Sequence, residues 1–380
     1  MRPHDELRAT PAERVSKIAP ASARILELGD FDYVKQQYPE RTTLLWTGGR
    51  PPRLPRSEYR DCTPTQFARA MSDLRAGRYD LVVAYMGLRS GWHPRNWFRA
   101  LVAEPARPVP ALLRGFGIDW LRFVSVPAPL VVLDMNDAFI VGRHNFFLLD
   151  KADVVFKREL PVDRWHMLCH SAHPMLPTRR IRRQARWQRR LAKIRPIALP
   201  APVLPDLALP RGGFPEKSVD IFFSGNVAEN SWVRRAGMAE LEELARRGVK
   251  VDVAPDPVPL PEYCARLARA WLAWSPSGFS WECFRTSEAA QCFAVPVMNY
   301  PTVELHRRLI PGRHAIYYHP EPGGLVETVE TALRDKDRLR AMAFAAREHV
   351  LAHHTPRAIV DRLIDTALAA GQGEPASERC

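Results

Sequence analysis

No run of apolar residues in this 380-residue chain approaches the roughly 18–20 that a membrane-spanning helix needs. The opening stretch MRPHDELRATPAERVSK lacks the apolar core of a signal peptide, so a cytoplasmic protein is the expectation. Six cysteines (Cys62, Cys169, Cys264, Cys283, Cys292 and Cys380) show no CxxC or other paired spacing, which points to reduced thiols rather than disulfides or zinc. The phosphate-cradling pattern GxxxxGK[ST] is missing, which argues against P-loop phosphoryl transfer. No G-x-G-x-x-G follows the first strand, against a dehydrogenase, and Ser224-Gly225 lacks the upstream glycine of a nucleophile elbow. His170 and His173 stand three apart without the partners of a zinc hydrolase. No zinc finger, RNP-type aromatic pair or helix-turn-helix is present, so no nucleic-acid partner is expected.

What is present is an ordinary globular composition with a strong basic excess: 46% hydrophobic, 26% charged, and a formal net charge of +13. Such a balance speaks of anionic partners rather than of fold. Much of the charge lies in TRRIRRQARWQRRLAKIR (Thr178–Arg195), where Ile181, Trp187, Leu191 and Ile194 offer an apolar stripe. A basic amphipathic helix suits an anionic membrane surface, here through Arg179–Arg195, and equally an ordinary basic surface helix.

The length suggests two domains. ARILELGD, TTLLWTGG, YDLVVAYM, APLVVLDMND and DVVFKREL read as strands, with TPTQFARAMSDLRAG a helix capped by Thr63 or Thr65 and stopped by Gly77. PALLRGFGIDWLRFVSV reads as mostly helical. A Pro-rich connection follows at 196–217, and then a second alternation begins with SVDIFFSGN. Continuous apolar strands separated by helices imply parallel sheets, and ligands in such sheets sit beyond the strands' carboxyl ends.

The most informative stretch is SPSGFSWECFRTSEAAQCFAVPVMNYP at 275–301. It reads as a loop with Ser277 and Gly278, a short helix with two acids and an arginine, and a buried strand. Glu282, Arg285 and Glu288 recur at i, i+3 and i+6, which places them on one helix face. A helix opening beside a glycine loop offers backbone N–H groups to an anion. A carboxylate further in can accept from sugar hydroxyls, and an arginine beside it can pair with phosphate oxygens.

Arg285, Glu288-Ala289-Ala290 and Pro296-Val297 resemble the donor-domain signature of GT-B glycosyltransferases. The exostosin-like group, with R-x-x-E-A…x-P-V, is most similar, and the retaining family with Glu-x7-Glu is more distant. The resemblance runs from about Ser218 to Leu368. Ser280 stands where the first Glu of Glu-x7-Glu would fall, and Phe293 where a glycine usually precedes Pro-Val.

The resemblance implies an α/β fold of two Rossmann-like domains facing a cleft. Residues 1–195 would form an acceptor-binding domain and 196–217 an interdomain linker. Residues 218–380 would form a nucleotide-sugar-binding domain, its last helix free to cross back. The activity implied is transfer of a sugar from a nucleotide-activated donor to a cell-surface glycan or lipid-linked acceptor, capsule or lipopolysaccharide, at the inner membrane face. Neither a metal nor a cofactor is implied. The alternative is a non-catalytic protein of the same fold that binds an anionic membrane or polymer through its basic surface. On the donor side stand Gly225 and Asn226 at the end of SVDIFFSGN, Arg234 or Arg235 with Arg235 preferred, Ser277, Gly278, Glu282, Arg285, Glu288, and Arg313 with His314 as its alternative. Arg50, Lys157 and Arg158 are candidates for an anionic acceptor. An inverting enzyme needs a base at a strand's end, for which Asp137 comes ahead of Asp134 and His144.

Overall fold

A computed structural model describes residues 22–48, 51–87, 93–95, 98, 102, 113, 116–168, 185–204, 213–227, 231–254 and 258–371. The chain divides into two compact units, Met1–Ile197 with Val360–Cys380, and Ala198–Ile359. The Pro-rich stretch is thus cut near its start, and its described residues from Ala198 onward belong to the second unit.

The first unit is built on seven strands: β1 (Ile25–Gly29), β2 (Thr42–Trp46), β3 (Tyr59–Asp61), β4 (Leu81–Tyr85), β5 (Leu130–Asp134), β6 (Val154–Lys157) and β7 (Ile194–Pro196). They lie in the order β3-β2-β1-β4-β5-β6-β7, every pair parallel. LVVAY of β4 and LVVLD of β5 are buried along their whole length, as strands covered on both faces must be. Strand order reverses between β1 and β4, which makes that pair the switch point of the sheet.

Local chemistry explains the helices. Helix α1 (Tyr33–Gln37) has no side-chain cap of its own. Buried Glu27 on β1 supplies one, accepting from the Val34 and Lys35 N–H groups at 3.0 and 2.8 Å and from the Tyr85 hydroxyl at 2.6 Å. Burial pushes its carboxyl up to about 7. Helix α2 (Pro64–Arg75) opens on Thr63, whose Oγ1 accepts from the Gln66 N–H at 3.3 Å, and is followed by Gly77 at φ 70°. It turns Phe67, Ala70, Met71 and Leu74 into the core. Residues 119–123, expected within a longer helix, form only a 3-10 turn. Helix α3 (Phe146–Lys151) precedes β6.

Of the basic segment, residues 178–184 lie outside the described residues, as does Arg50. The described part forms α4 (Ala185–Ala192). Its apolar stripe is already used: Leu191 and Ile194 belong to the core, and Trp187 packs against it with its ring on Phe146. Arg186 and Arg190 both grip the Asp150 carboxylate at 2.6–2.7 Å, which holds that carboxyl down at about 2. No described helix is long and apolar enough to cross a membrane.

The second unit carries β8 (Val219–Ser224), β9 (Val251–Ala254), β10 (Ala270–Trp274), β11 (Val295–Asn299) and β12 (Ile316–Tyr318), in the parallel order β9-β8-β10-β11-β12. Its helices are α5 (Trp232–Arg246), α6 (Leu260–Arg269), α7 (Phe284–Gln291), α8 (Gly324–Leu333) and α9 (Lys336–His353). Helix α10 (Pro356–Gly371) begins in this unit and continues into the first. Helix α7 stops with a pair of bonds, Phe293 N–H to Ala290 O and Ala294 N–H to Ala289 O, that require a left-handed residue between. Phe293 takes that conformation at φ 59°, where a glycine would be unstrained. Its ring is held by Phe214, Phe344 and the Arg347 guanidinium, which offsets the backbone cost.

Asp134 and Lys157 form a buried ion pair, Nζ to Oδ2 2.8 Å, with Lys157 wholly inaccessible. Lys157 Nζ also donates to Ala138 O at 2.6 Å, and Asp134 Oδ1 accepts from the Asn136 amide at 2.8 Å. Removing one partner strands the other charge. Asp134→Ala is expected to cost about 3–5 kcal/mol in urea denaturation. A loss below about 1 kcal/mol would show that the pair does not stabilise the unit.

Candidate active site

The parallel strands of the second unit bring Ser224-Gly225-Asn226, Ser275–Gly278 and Asn299 to one edge. Polar side chains fix these loops. Asn299 Oδ1 accepts from the Ser277 N–H at 2.9 Å, and its Nδ2 donates to Ser277 Oγ at 3.3 Å. Ser231 caps α5 by accepting from the Arg234 N–H at 3.3 Å, while its hydroxyl donates to Ser277 O at 2.8 Å. The start of α5 is thereby tied to the glycine loop.

Two buried guanidinium groups lie against the two glycines. Arg234 Nη1 donates to Asn226 O at 2.8 Å, and a Cβ placed on Gly278 would meet Arg234 Nη2 at 2.5 Å. Arg285 Nε donates to Ser224 O at 2.8 Å, its guanidinium lies over Phe223, and a Cβ on Gly225 would meet Arg285 Nη2 at 2.1 Å. Both glycines are therefore places where the absence of a side chain admits a cation. Arg285 Nη1 is buried and has no hydrogen-bond partner among the described residues. Leaving such a donor unmet costs about 1–3 kcal/mol, more for a charged group, and an anionic oxygen would relieve it.

One turn further along α7, half-buried Glu288 accepts from the Tyr263 hydroxyl at 2.8 Å through Oε2. Burial raises its carboxyl above the usual range, and the Tyr263 bond and the Arg285 charge oppose that rise. Ser275 and Thr286 share a hydroxyl bond of 2.8 Å between the loop and the helix.

Gly225, Asn226, Ser277, Gly278 and Arg285 thus form one constellation, with Glu288 on the helix that bears Arg285. Other expectations are revised. Of the arginine pair, Arg234 is the one set between the loops, while Arg235 is exposed on α5. Glu282 does not share a helix face with Arg285, because α7 begins at Phe284. Its Oε2 instead accepts from the Leu199 N–H at 3.0 Å. Arg313 is exposed, and among the described residues no hydrogen bond ties it to the glycine loops.

In the first unit, Asp134 and Lys157 are sealed in the core and cannot touch an acceptor. Half-exposed Asp137 is ion-paired with Arg158, whose Nη1 also donates to Met135 O at 3.2 Å. His144 Nε2 lies 2.9 Å from Gly87 O; a carbonyl only accepts, so Nε2 carries the proton. Sequence reasoning passed over Asp30. It follows β1 at the switch point, is open to solvent, and has its carboxyl raised by the desolvation that surrounding protein imposes. Its only sequence signal was the acid ending ARILELGD; strand order had to be known for that to count.

A histidine cluster lies under the Leu309–Ala315 turn. His314 and His349 stand 4.4 Å apart between ring centres, and His353 is 4.8 Å from His349. His349 and His354 both donate through Nε2 to Arg307 O, at 2.7 and 2.9 Å, and Arg307 has φ 44°. Burial and neighbouring positive charge hold His314 at about 4, and burial foremost holds His354 at about 4.

Residues 225–365 match the family model described as glycosyl transferase-like. Among solved structures, a glycosyltransferase from Rickettsia africae aligns with TM-score 0.53 at 9% identity, covering 93% of this chain and 100% of that one. Sucrose-phosphate synthase from Thermosynechococcus elongatus aligns with TM-score 0.48 at 12% identity, covering 90% and 98%. HepE from Anabaena, in complex with UDP, aligns with TM-score 0.47 at 12% identity, covering 91% and 100%. No curated protein matches the chain. The fold is that of the GT-B class, two Rossmann-like units with parallel sheets. Most of its second unit carries a glycosyl transferase-like domain.

The depressed histidines make stability depend on pH. Unfolded histidines take up protons near pH 6.5 and the folded His314 and His354 only near 4. Between those values the unfolded chain binds more protons, so stability is complete above about 6.5 and is lost as pH falls towards about 4. Urea midpoints measured from pH 7.5 to 4 are expected to fall across this window, and less steeply in His354→Gln. An identical fall in wild type and variant would refute the assignment to His354.

Proposed function

We propose that the second unit binds a nucleotide sugar through its diphosphate and that the chain transfers the sugar to a cell-surface glycan or lipid-linked acceptor. The observation that carries this reading is the buried Nη1 of Arg285, unmet among the described residues, on a guanidinium that lies against Gly225. A diphosphate offers several anionic oxygens to such a donor and to Arg234, and the first turn of α7 adds backbone N–H groups. The same cations stabilise the charge that develops on the departing phosphate, the role a metal ion plays elsewhere. Glu288, an acceptor of hydrogen bonds when ionised, suits the ribose or sugar hydroxyls.

The first unit would take the acceptor. For transfer with inversion, Asp30 displaces Asp137 as the base: it is accessible, stands at the switch point and has a raised carboxyl, whereas Asp137 is engaged by Arg158. The net charge of +13 supports an acceptor or surface of negative charge, capsule or lipopolysaccharide at the inner membrane face. Since the stripe of α4 is buried, any attraction to lipid would come from its arginines alone.

Arg285→Met should weaken the stabilisation given by the best of UDP, GDP and ADP in a thermal-shift panel at least tenfold in affinity, roughly 1.5–3 kcal/mol. Undiminished binding would refute the diphosphate site. Asp30→Asn keeps the shape but takes up no proton, so kcat for nucleotide-sugar turnover should drop by about 100-fold or more with donor affinity intact. Retained kcat would remove Asp30 from the reaction.

A further inference from the structure

We propose that Tyr263 is a positioning residue for the donor: its hydroxyl holds one oxygen of the Glu288 carboxylate and leaves the other to the donor's hydroxyl groups. This rests on the reading of Glu288 as a ligand of those hydroxyls.

The geometry is a two-helix arrangement backed by β8. Tyr263, on α6, reaches Glu288 Oε2 on α7 at 2.8 Å. Its ring packs on Phe222 of β8, 5.9 Å between centroids, so the hydroxyl's position is set by the strand that ends in Ser224, just before Gly225. The Glu288 carboxylate makes no other hydrogen bond among the described residues, and the residue is only half-buried. One oxygen is fixed and the other is open.

The chemistry of the holder matters. A carboxylate free at both oxygens rotates about its last torsion, which blurs the direction in which it accepts. A cation in Tyr263's place would fix it but would neutralise the charge that makes it a strong acceptor. A phenol fixes it and stays neutral, since burial pushes the Tyr263 hydroxyl further above its ordinary range. The titratable groups facing Glu288 are Tyr263 and Cys264 from α6, Arg285 from α7 and Cys292 just past its end. Burial drives the carboxyl towards protonation, and only the Tyr263 bond and the Arg285 charge oppose it. Without the hydroxyl, Glu288 would protonate at higher pH and lose its acceptor character there.

The test uses the full chain and whichever of UDP-glucose, GDP-mannose and ADP-glucose raises its Tm most. Its Kd is measured from pH 5 to 8 for wild type, Tyr263→Phe, Glu288→Gln and the double variant, with Tm confirming that each is folded. Tyr263→Phe is expected to weaken binding about five- to tenfold, the loss of one hydrogen bond to a charged group. It should also move the acid limb of binding upward by about half a pH unit or more, and change affinity less than about twofold once Glu288 is glutamine. Equal losses in both backgrounds, or an unmoved acid limb, would overturn the positioning role. If Glu288→Gln weakens binding but Tyr263→Phe does not, the role of Tyr263 alone fails. If Glu288→Gln binds as wild type does, the reading of Glu288 fails beneath it.

Discussion

A guanidinium laid across a glycine organises the second unit's site. Arg285 donates to the carbonyl at the end of β8, and the space that a side chain at Gly225 would fill is the space its Nη2 occupies. The contact requires α7 to begin and end in register with the sheet. The cap of bonds around Phe293 stops the helix at Gln291, so that β11 can follow from Val295. Asn299, the last residue of that strand, then reaches back to set Ser277. The loop, the helix and two strand ends are therefore one mechanical assembly around a buried cation with one nitrogen unmet among the described residues.

Two groups of buried charge at strand ends differ in how they are satisfied. In the first, Lys157 is satisfied twice over, by Asp134 and by the Ala138 carbonyl, and Arg158 is divided between Asp137, Glu159 and Met135. Such groups specify a packing and are closed to ligands. In the second, Arg285 retains a buried donor without an acceptor among the described residues, an arrangement that costs stability until an anion arrives. Titratable groups at strand ends look alike in sequence; their state of satisfaction separates structure from function.

Most of the fold was legible along the chain because its causes are local. Thr63 and Ser231 cap the helices that follow them, Gly77 and Gly248 take the left-handed conformations past helix ends, and continuous apolar runs became buried parallel strands. Gly225, Gly278 and Arg285 were legible as well, since a glycine loop before a helix bearing an arginine is a short-range pattern.

Tertiary structure decided the rest, wherever the answer turned on orientation or strand order. Arg234 and Arg235 are neighbours in sequence but stand about 100° apart around a helix, so only the packing of α5 chooses which is buried. Glu282 keeps helical spacing from Arg285 yet lies before the helix, because Cys283 has extended backbone. Asp134 and Lys157 face each other only because β5 and β6 pair in register, Asp134 opposite Lys157. Asp30 gains its place from the reversal of strand order between β1 and β4, a property of the sheet that no single strand carries. Propensity and capping act over a few residues and are written in them; which side chain meets which across a parallel sheet depends on crossovers that only the folded chain sets.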